Sequence, residues 1–355
     1  PDDRWVQAVE FRPSNLEVTH HVVIFMGGFG GGGGMGNFDV LGVWSVGTEP
    51  NVYPEGMGRK LEKGQHLFAN MHYHPNGTAQ KDQTRIGLHF GEGPLKHEVR
   101  AALAGSFSLS VPPNVANHQE TASWYVDRDM QIISLFPHMH LRGKDMRLTA
   151  VYPDGRDQTL LNVPGYDFNW QLFYYPKDEL VLPAGSRVDI LAHYDNSAEN
   201  PYNPDPNRRV YFGTSTDDEM LFGIFEYIEL DGSATAGRSD PLAAVAASFP
   251  KGEAYRVFLK AGEAGLPAVL HLPREGDGRW IILFNGTQIE APVENLTWDG
   301  DTCNATVALQ MGQFGGQVVL DATIHPDGRL DGRLTNDGTT PFLIPRIEGE
   351  RIVAE

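Results

Sequence analysis

The chain has 355 residues, with 28 Lys+Arg against 46 Asp+Glu and a formal net charge of -18. No basic cluster tracks a phosphate backbone, which argues against nucleic acid as a partner. The length suits two or three domains with ample core, and no apolar run approaches the roughly 20 residues that span a bilayer. With 40 Gly, 24 Pro and long runs of alternating or β-branched residues, the composition points to a mostly β protein. Cys303 is the single cysteine, so neither an intramolecular disulfide nor a cysteine-based zinc site can form. A start at Pro1, without an initiator Met or a basic-plus-apolar leader, reads as a processed or trimmed segment whose targeting signal has gone.

In chain order, residues 5–11 alternate as a half-buried strand that stops at Arg12-Pro13. The next strand, 16–25, carries His20 and His21 in its middle. On a regular strand these two face opposite ways, and a bulge would be needed to re-aim one of them. Residues 27–36 are glycine-rich but lack a P-loop pattern and a following helix, so they are expected to form a surface loop. Strand 66–74 holds His72 and His74 as a same-face pair, with His66 sharing their parity. His89, His97 and His118 are isolated and read as structural or solvated.

A second block begins near Ser106. Its centre is the apolar run 131–135 followed by Phe136-Pro137-His138-Met139-His140-Leu141-Arg142-Gly143. Residues i and i+2 of a strand share a face, so His138 and His140 project side by side and can share one metal ion. Strands at 145–152 and 180–194, the aromatic-rich stretch 166–175 and a closing strand 221–230 complete the block. Residues 231–247 shift to small and polar types and read as a linker with room for one helical turn. Beyond it, strands separated by turns such as Pro326-Asp327-Gly328 and Asn336-Asp337-Gly338 suggest a meander or small barrel. His271 and His325 there have no partners in the sequence pattern. The fold expected is all-β: two tandem antiparallel jelly-roll-like sandwiches (1–105 and 106–230), a linker, and a β-rich accessory domain (248–355).

Four motifs in order carry a resemblance. They are His20-His21, Asn70-Met71-His72-Tyr73, His138-Met139-His140-Leu141-x-Gly143, and Gly213-Thr214 followed by Asp218-Glu219-Met220. Together they resemble the copper type II, ascorbate-dependent monooxygenases, the family of peptidylglycine α-hydroxylating monooxygenase and dopamine β-monooxygenase, over about residues 3–230. The resemblance implies two coppers per chain. His20, His21 and His72 would hold the electron-transferring copper. His138, His140 and Met220 would hold the copper that binds oxygen and substrate. A thioether is a soft ligand that favours Cu(I), so Met220 argues against a structural zinc. The implied partners are a small-molecule substrate, O2 and an external ascorbate-type electron donor, in an extracytoplasmic setting (secreted, periplasmic or cell-surface).

The departures are specific. Family members carry several disulfides, and this chain can form none. Asn70 stands where a glutamine precedes the third histidine by two, and Phe136 where the peptide-hydroxylating branch has a carboxylate-binding arginine. Phe222 and Ile224 replace an asparagine and a tyrosine after the methionine. These three side chains are expected to give an apolar substrate pocket, with Arg142 the alternative anchor for an anionic substrate. His74 and His193 match no expected ligand. The sequence thus reads as a copper monooxygenase hydroxylating a C–H bond. The alternatives are a copper-binding or electron-transfer protein without turnover, and a structural or surface component derived from such an enzyme.

Overall fold

The computed structural model describes residues 2–26, 39–91, 95–230, 240–250, 253–261, 264–284, 286–311, 314–336 and 346–352. The glycine-rich run 27–36, the first part of the expected linker (231–239) and the turn at Asp337-Gly338 lie outside them. The described chain is all-β, with one short helix, Pro241–Ala246, capped by the Asp240 carboxylate on the Leu242 N–H.

The N-terminal half packs two sheets face to face. Strands Asp39–Ser45, Thr19–Met26 and Leu67–Tyr73 form one. Arg4–Arg12, with Met57–Leu61, Asn51–Val52 and Arg85–Phe90, forms the other. Alternation turns Val22 and Ile24 inward, and register irregularities between Val6 and Ala8 and at Leu41 let Val6, Val9, Leu41 and Trp44 join them in a small shared core.

The second sheet does not stop at the half boundary. Met57–Leu61 runs parallel to His97–Gly105, which pairs with Phe222–Glu229, which in turn pairs with Met130–His138. An opposing layer is built from Asp157–Val163, Gly143–Val151, Arg187–Tyr194 and His118–Tyr125. Between the layers lie Trp124, Leu135, Met146, Leu148, Ile190 and Phe225. Strand Met130–His138 is buried on both sides toward its end. Leu135 enters this core, while Phe136 faces the N-terminal half.

That face of the sheet meets the first half in three cross-strand rows: His138–Phe222, Phe136–Ile224 and Ser134–Glu226. The middle row packs on Val40 and Val43. In the last row the buried Glu226 carboxylate accepts from Tyr53 Oη (2.6 Å) and Ser134 Oγ (2.7 Å). A buried carboxylate is tolerated only with such donors, so the polar row fixes how the halves meet.

The C-terminal strands, from Ala254–Ala261 to Arg346–Arg351, form a sequential antiparallel barrel of eight. It closes between its first and last strands, and Thr287–Asp299 pairs with both of its neighbours. Tyr255, Trp280, Val293, Val307 and Leu320 fill the interior. Ile281 and Leu283, on the outer face, pack under the helix against Leu242 and Val245. The barrel joins the sandwich through the Trp124–Thr287 pairing, Tyr125 N–H to the Gly286 carbonyl (2.9 Å), and the Thr287 hydroxyl on the Leu103 carbonyl.

Candidate metal centre

Thr19–Met26 pairs with Leu67–Tyr73 as Thr19–Tyr73 and then His21–His72, so His20 is the extra residue of a bulge. The bulge undoes the alternation that would send His20 and His21 to opposite faces. His20 Nδ1 lies 3.0 Å from His21 Nδ1, and His21 Nε2 lies 3.3 Å from His72 Nδ1. One ligand atom from each of the three falls within 4.8 Å of the others. The remaining nitrogens are occupied: His20 Nε2 faces Asn169 Oδ1 (3.4 Å) and His72 Nε2 faces Thr216 Oγ1 (2.7 Å).

The second set forms where a strand ends. His138 closes Met130–His138 and His140 follows in the turn, with ring centroids 5.2 Å apart at 87°. Gln171 Nε2 donates to the Phe168 carbonyl (2.7 Å), which leaves Gln171 Oε1 to accept from His138 Nδ1 (2.7 Å). His140 Nδ1 donates to the Asp218 carbonyl (3.2 Å). Both rings therefore keep a lone pair on Nε2. Gly143 lets the turn close tightly, since a Cβ there would press on Met139 and Tyr166.

Glu219 organises this set. Fully buried, it accepts from the backbone N–H of His140 (2.9 Å) and Met220 (3.2 Å) on Oε2, and of Arg142 (2.7 Å) on Oε1. One carboxylate thus holds the histidine turn against the methionine segment. Burial raises its pKa to about 7 despite those donors. Tyr194 Oη donates to the Met220 carbonyl (2.8 Å), and Met220 is half-buried rather than a core residue.

The two sets meet. His21 and His138 have ring centroids 6.2 Å apart. Phe168 stacks on His20 (4.5 Å, 15°) and stands 6.0 Å from His140. The stretch 166–171 therefore touches both sets: Tyr166 Oη donates to the Met139 carbonyl (2.6 Å), Asn169 faces His20, and Gln171 holds His138. Desolvation keeps the imidazoles neutral. It lowers His21 to about 2, His140 to about 3, and His72 and His138 to about 4, with neighbouring histidines adding to the shift at all four. A neutral imidazole is the ligating form.

Other predicted residues fall elsewhere. Phe222 lies beside His138, its ring nearly parallel at 6.2 Å, in space left open by Gly105. Phe136 and Ile224 pack in the seam between the halves, with Phe136 4.9 Å from Phe173. Arg142 is fully buried, with Nε on Asn196 (2.9 Å) and Nη1 on the Asp217 carbonyl (3.0 Å), so it is engaged in holding the turn. His74 and His66 are exposed, and His193 pairs with Asp145 (2.7 Å) on the opposing sheet.

Sequence reading passed over Thr216, Phe168, Gln171 and the role of Glu219. Glu219 had a signal, a carboxylate adjoining a candidate ligand. Aromatic density alone marked 166–175.

Fold and site together define an all-β protein in which two histidine sets from different chain segments converge at one seam. No family model matches the chain. DBH-like monooxygenase protein 1 of Gallus gallus is 23% identical over 208 residues, covering 53% of this chain and 33% of that protein. Its Homo sapiens namesake is 22% identical over 209 residues, with the same coverage, 53% and 33%. The matched region thus spans a third of the length of these relatives. Among solved structures, the infectious bursal disease virus VP2 subviral particle aligns over 70% of this chain and 72% of its own. Its 13% identity and TM-score of 0.18 carry no argument.

Proposed function

We propose that the chain is a copper-dependent monooxygenase hydroxylating a C–H bond of a small neutral substrate. The observation that carries this reading is the meeting of two neutral histidine sets across one seam. The donor atoms fit a metal. A metal takes one nitrogen from each imidazole, and one ligand atom from each of His20, His21 and His72 lies within 4.8 Å of the others, a spread that closing onto ligand distances of about 2.0–2.1 Å would tighten. Neutral imidazole nitrogens as close as those at His21 share either an N–H···N hydrogen bond or a metal ion, and burial disfavours the doubly protonated ring that could not ligate. Imidazole alone suits several metals. The choice of copper rests on Met220, tied through Glu219 to His140, and on the distant likeness to monooxygenases.

His20, His21 and His72 would hold one copper, and His138, His140 and Met220 the other. Bound there, copper would cycle between Cu(II) and Cu(I) with electrons from an external ascorbate-type reductant and would activate O2 for insertion into the C–H bond. The chain's own part is to position and to exclude. Gln171 and the Asp218 carbonyl keep the Nδ1 protons of His138 and His140 in place, so each Nε2 stays free to ligate. Phe168 and Phe222 exclude water on either side. Arg142 is committed to the turn and Arg208 is paired with Asp218. Arg142 Nη2 finds no partner among the described residues but is buried with the rest of the side chain, and Arg208 is already paired, an arrangement that favours a neutral substrate over an anionic one. An extracytoplasmic setting goes with this reading. Among the described residues no helix is long and apolar enough to cross a membrane.

A second reading, a copper-binding or electron-transfer protein without turnover, is favoured by one observation: Phe136 and Ile224 are consumed in the seam. Copper reconstitution followed by ascorbate-dependent O2 uptake, with mass spectrometry of products from a mixed substrate pool, separates the two. Two coppers with coupled hydroxylation support the enzyme. Two coppers without a hydroxylated product support the second reading, one copper per chain defeats the two-site enzyme, and zinc retained against copper defeats both.

A further inference from the structure

The first histidine set is not built by the N-terminal half alone. Thr216 belongs to the loop 211–219, which is pinched shut at its base. Gly213 N–H donates to the Glu219 carbonyl (3.1 Å) and Glu219 N–H to the Tyr211 carbonyl (3.0 Å). Within it, Asp218 N–H donates to the Ser215 carbonyl (3.0 Å), and the Asp218 carboxylate pairs with Arg208. Such a loop presents its tip at a fixed place. The base carries Glu219 and leads to Met220, at the second set. The tip reaches across the seam, and Thr216 Oγ1 meets His72 Nε2 at 2.7 Å.

That contact bears on which nitrogen of His72 is available. A hydroxyl can donate or accept; where the Thr216 oxygen accepts from Nε2–H, the lone pair sits on Nδ1, the atom 3.3 Å from His21 Nε2. Asn169 Oδ1 accepts from His20 Nε2 in the same sense at 3.4 Å, and Phe168 stacks on that ring, both also from the second half. The short Thr216 contact has the tighter geometry of the two.

We propose that Thr216 is a positioning residue of the first histidine set, delivered by the second half, and that it fixes His72 in the tautomer that ligates through Nδ1. This rests on the copper reading above. Removing a group that orients a metal-ligating histidine commonly costs about 10–100-fold in metal affinity.

The test uses the full chain as wild type, Thr216→Val and Thr216→Ser. Thr216→Val keeps the branched shape and removes the hydroxyl, while Thr216→Ser keeps the hydroxyl. Cu(I) affinity is read by competition with a chromophoric Cu(I) chelator, the Cu(II) signals by electron paramagnetic resonance, and apo stability by thermal melting. In Thr216→Val, one of two coppers should lose about 10–100-fold in affinity with a changed hyperfine signature. The other signal and the apo melting temperature should hold, and Thr216→Ser should stay within about threefold of wild type. Unchanged affinities in Thr216→Val overturn the proposal. So do equal losses in Thr216→Val and Thr216→Ser, which would make the loop rather than the hydroxyl responsible. A wild-type chain that takes up no copper overturns the metal reading itself, and Thr216's role falls with it.

Discussion

The two histidine sets reach similar ends by different means. The first depends on a strand irregularity: the bulge at His20 turns neighbouring residues to one side, and groups from the other half hold their outer nitrogens. The second depends on a strand end, where His138 and His140 follow the pleat into a turn. A single buried carboxylate ties that turn to the Met220 segment. The first set is therefore a composite of two halves, held at its rim. The second is internally braced, and its weak point is one side chain. Each can be broken separately.

Acid strikes both sets at once and gives the largest effect. The folded-state pKa values of His21, His72, His138 and His140 lie at about 2, 4, 4 and 3, below the roughly 6.5 of an unfolded chain. Between those limits the unfolded state binds more protons, so stability rises with pH in that window. The stabilisation is complete above about pH 6.5 and is lost progressively below it, the loss ending only as the pH falls through the folded-state values, from about 4 down to about 2. The apo melting temperature should drop steeply between pH 7 and pH 5. A flat profile would mean that the imidazoles are solvated and the cluster open.

Glu219→Ala breaks only the braced set. It leaves three backbone N–H groups, of His140, Arg142 and Met220, without their acceptor. At about 1–3 kcal/mol for each unsatisfied buried group, the fold should lose several kcal/mol and the copper of the second set. The first set should still take up copper at low temperature. Metal analysis with denaturant melts reads both effects. Loss of both coppers together, in a chain that remains folded, would show that the sets are not separable.

Met220→Ile is the finer cut on the same side. Met220 is half-buried, so an aliphatic replacement should leave stability within about 1 kcal/mol. Cu(I) affinity at one site should fall by at least about tenfold as the soft donor is removed. Ordinary Cu(I) affinity with lost turnover, or a chain that unfolds, would remove Met220 from the ligand set.

How far the sequence reveals this comparison depends on what makes each set. The second is signalled by His138 and His140 at i and i+2, although the strand ends at His138 and His140 lies past it, and the all-β class follows from alternation and turn residues. The first set is hidden by the same rule, because regular pleating separates His20 from His21. Only pairing across to His72 exposes the bulge. Phe136, Phe222 and Ile224 were expected to form one apolar wall, and they do share a sheet face. The sequence does not say that the N-terminal half lies against two of them, since Val40 and Val43 are remote along the chain. Thr216, Phe168 and Gln171 belong to irregular stretches whose paths are set by tertiary contacts, where periodicity carries no signal. The barrel's closure is invisible for a related reason: pairing between Ala254–Ala261 and Arg346–Arg351 is the least local contact in that domain.

The smallest expected effect tests whether the rim contacts of the first set are graded. Asn169 is exposed, and its Oδ1 stands 3.4 Å from His20 Nε2, at the long end of hydrogen bonding. Water can replace such an acceptor at little cost, and Phe168 would still stack on the ring. Asn169→Ala should therefore lower copper affinity at the first set by only about two- to threefold, equivalent to roughly 0.5 kcal/mol. The apo melting temperature should not move. Chelator competition on Asn169→Ala and Thr216→Val side by side gives the measurement. A tenfold loss in Asn169→Ala would place the main restraint on His20 rather than His72. The first set would then be braced through the stretch 166–171, by the same residues that hold His138, and its independence from the second set would be gone.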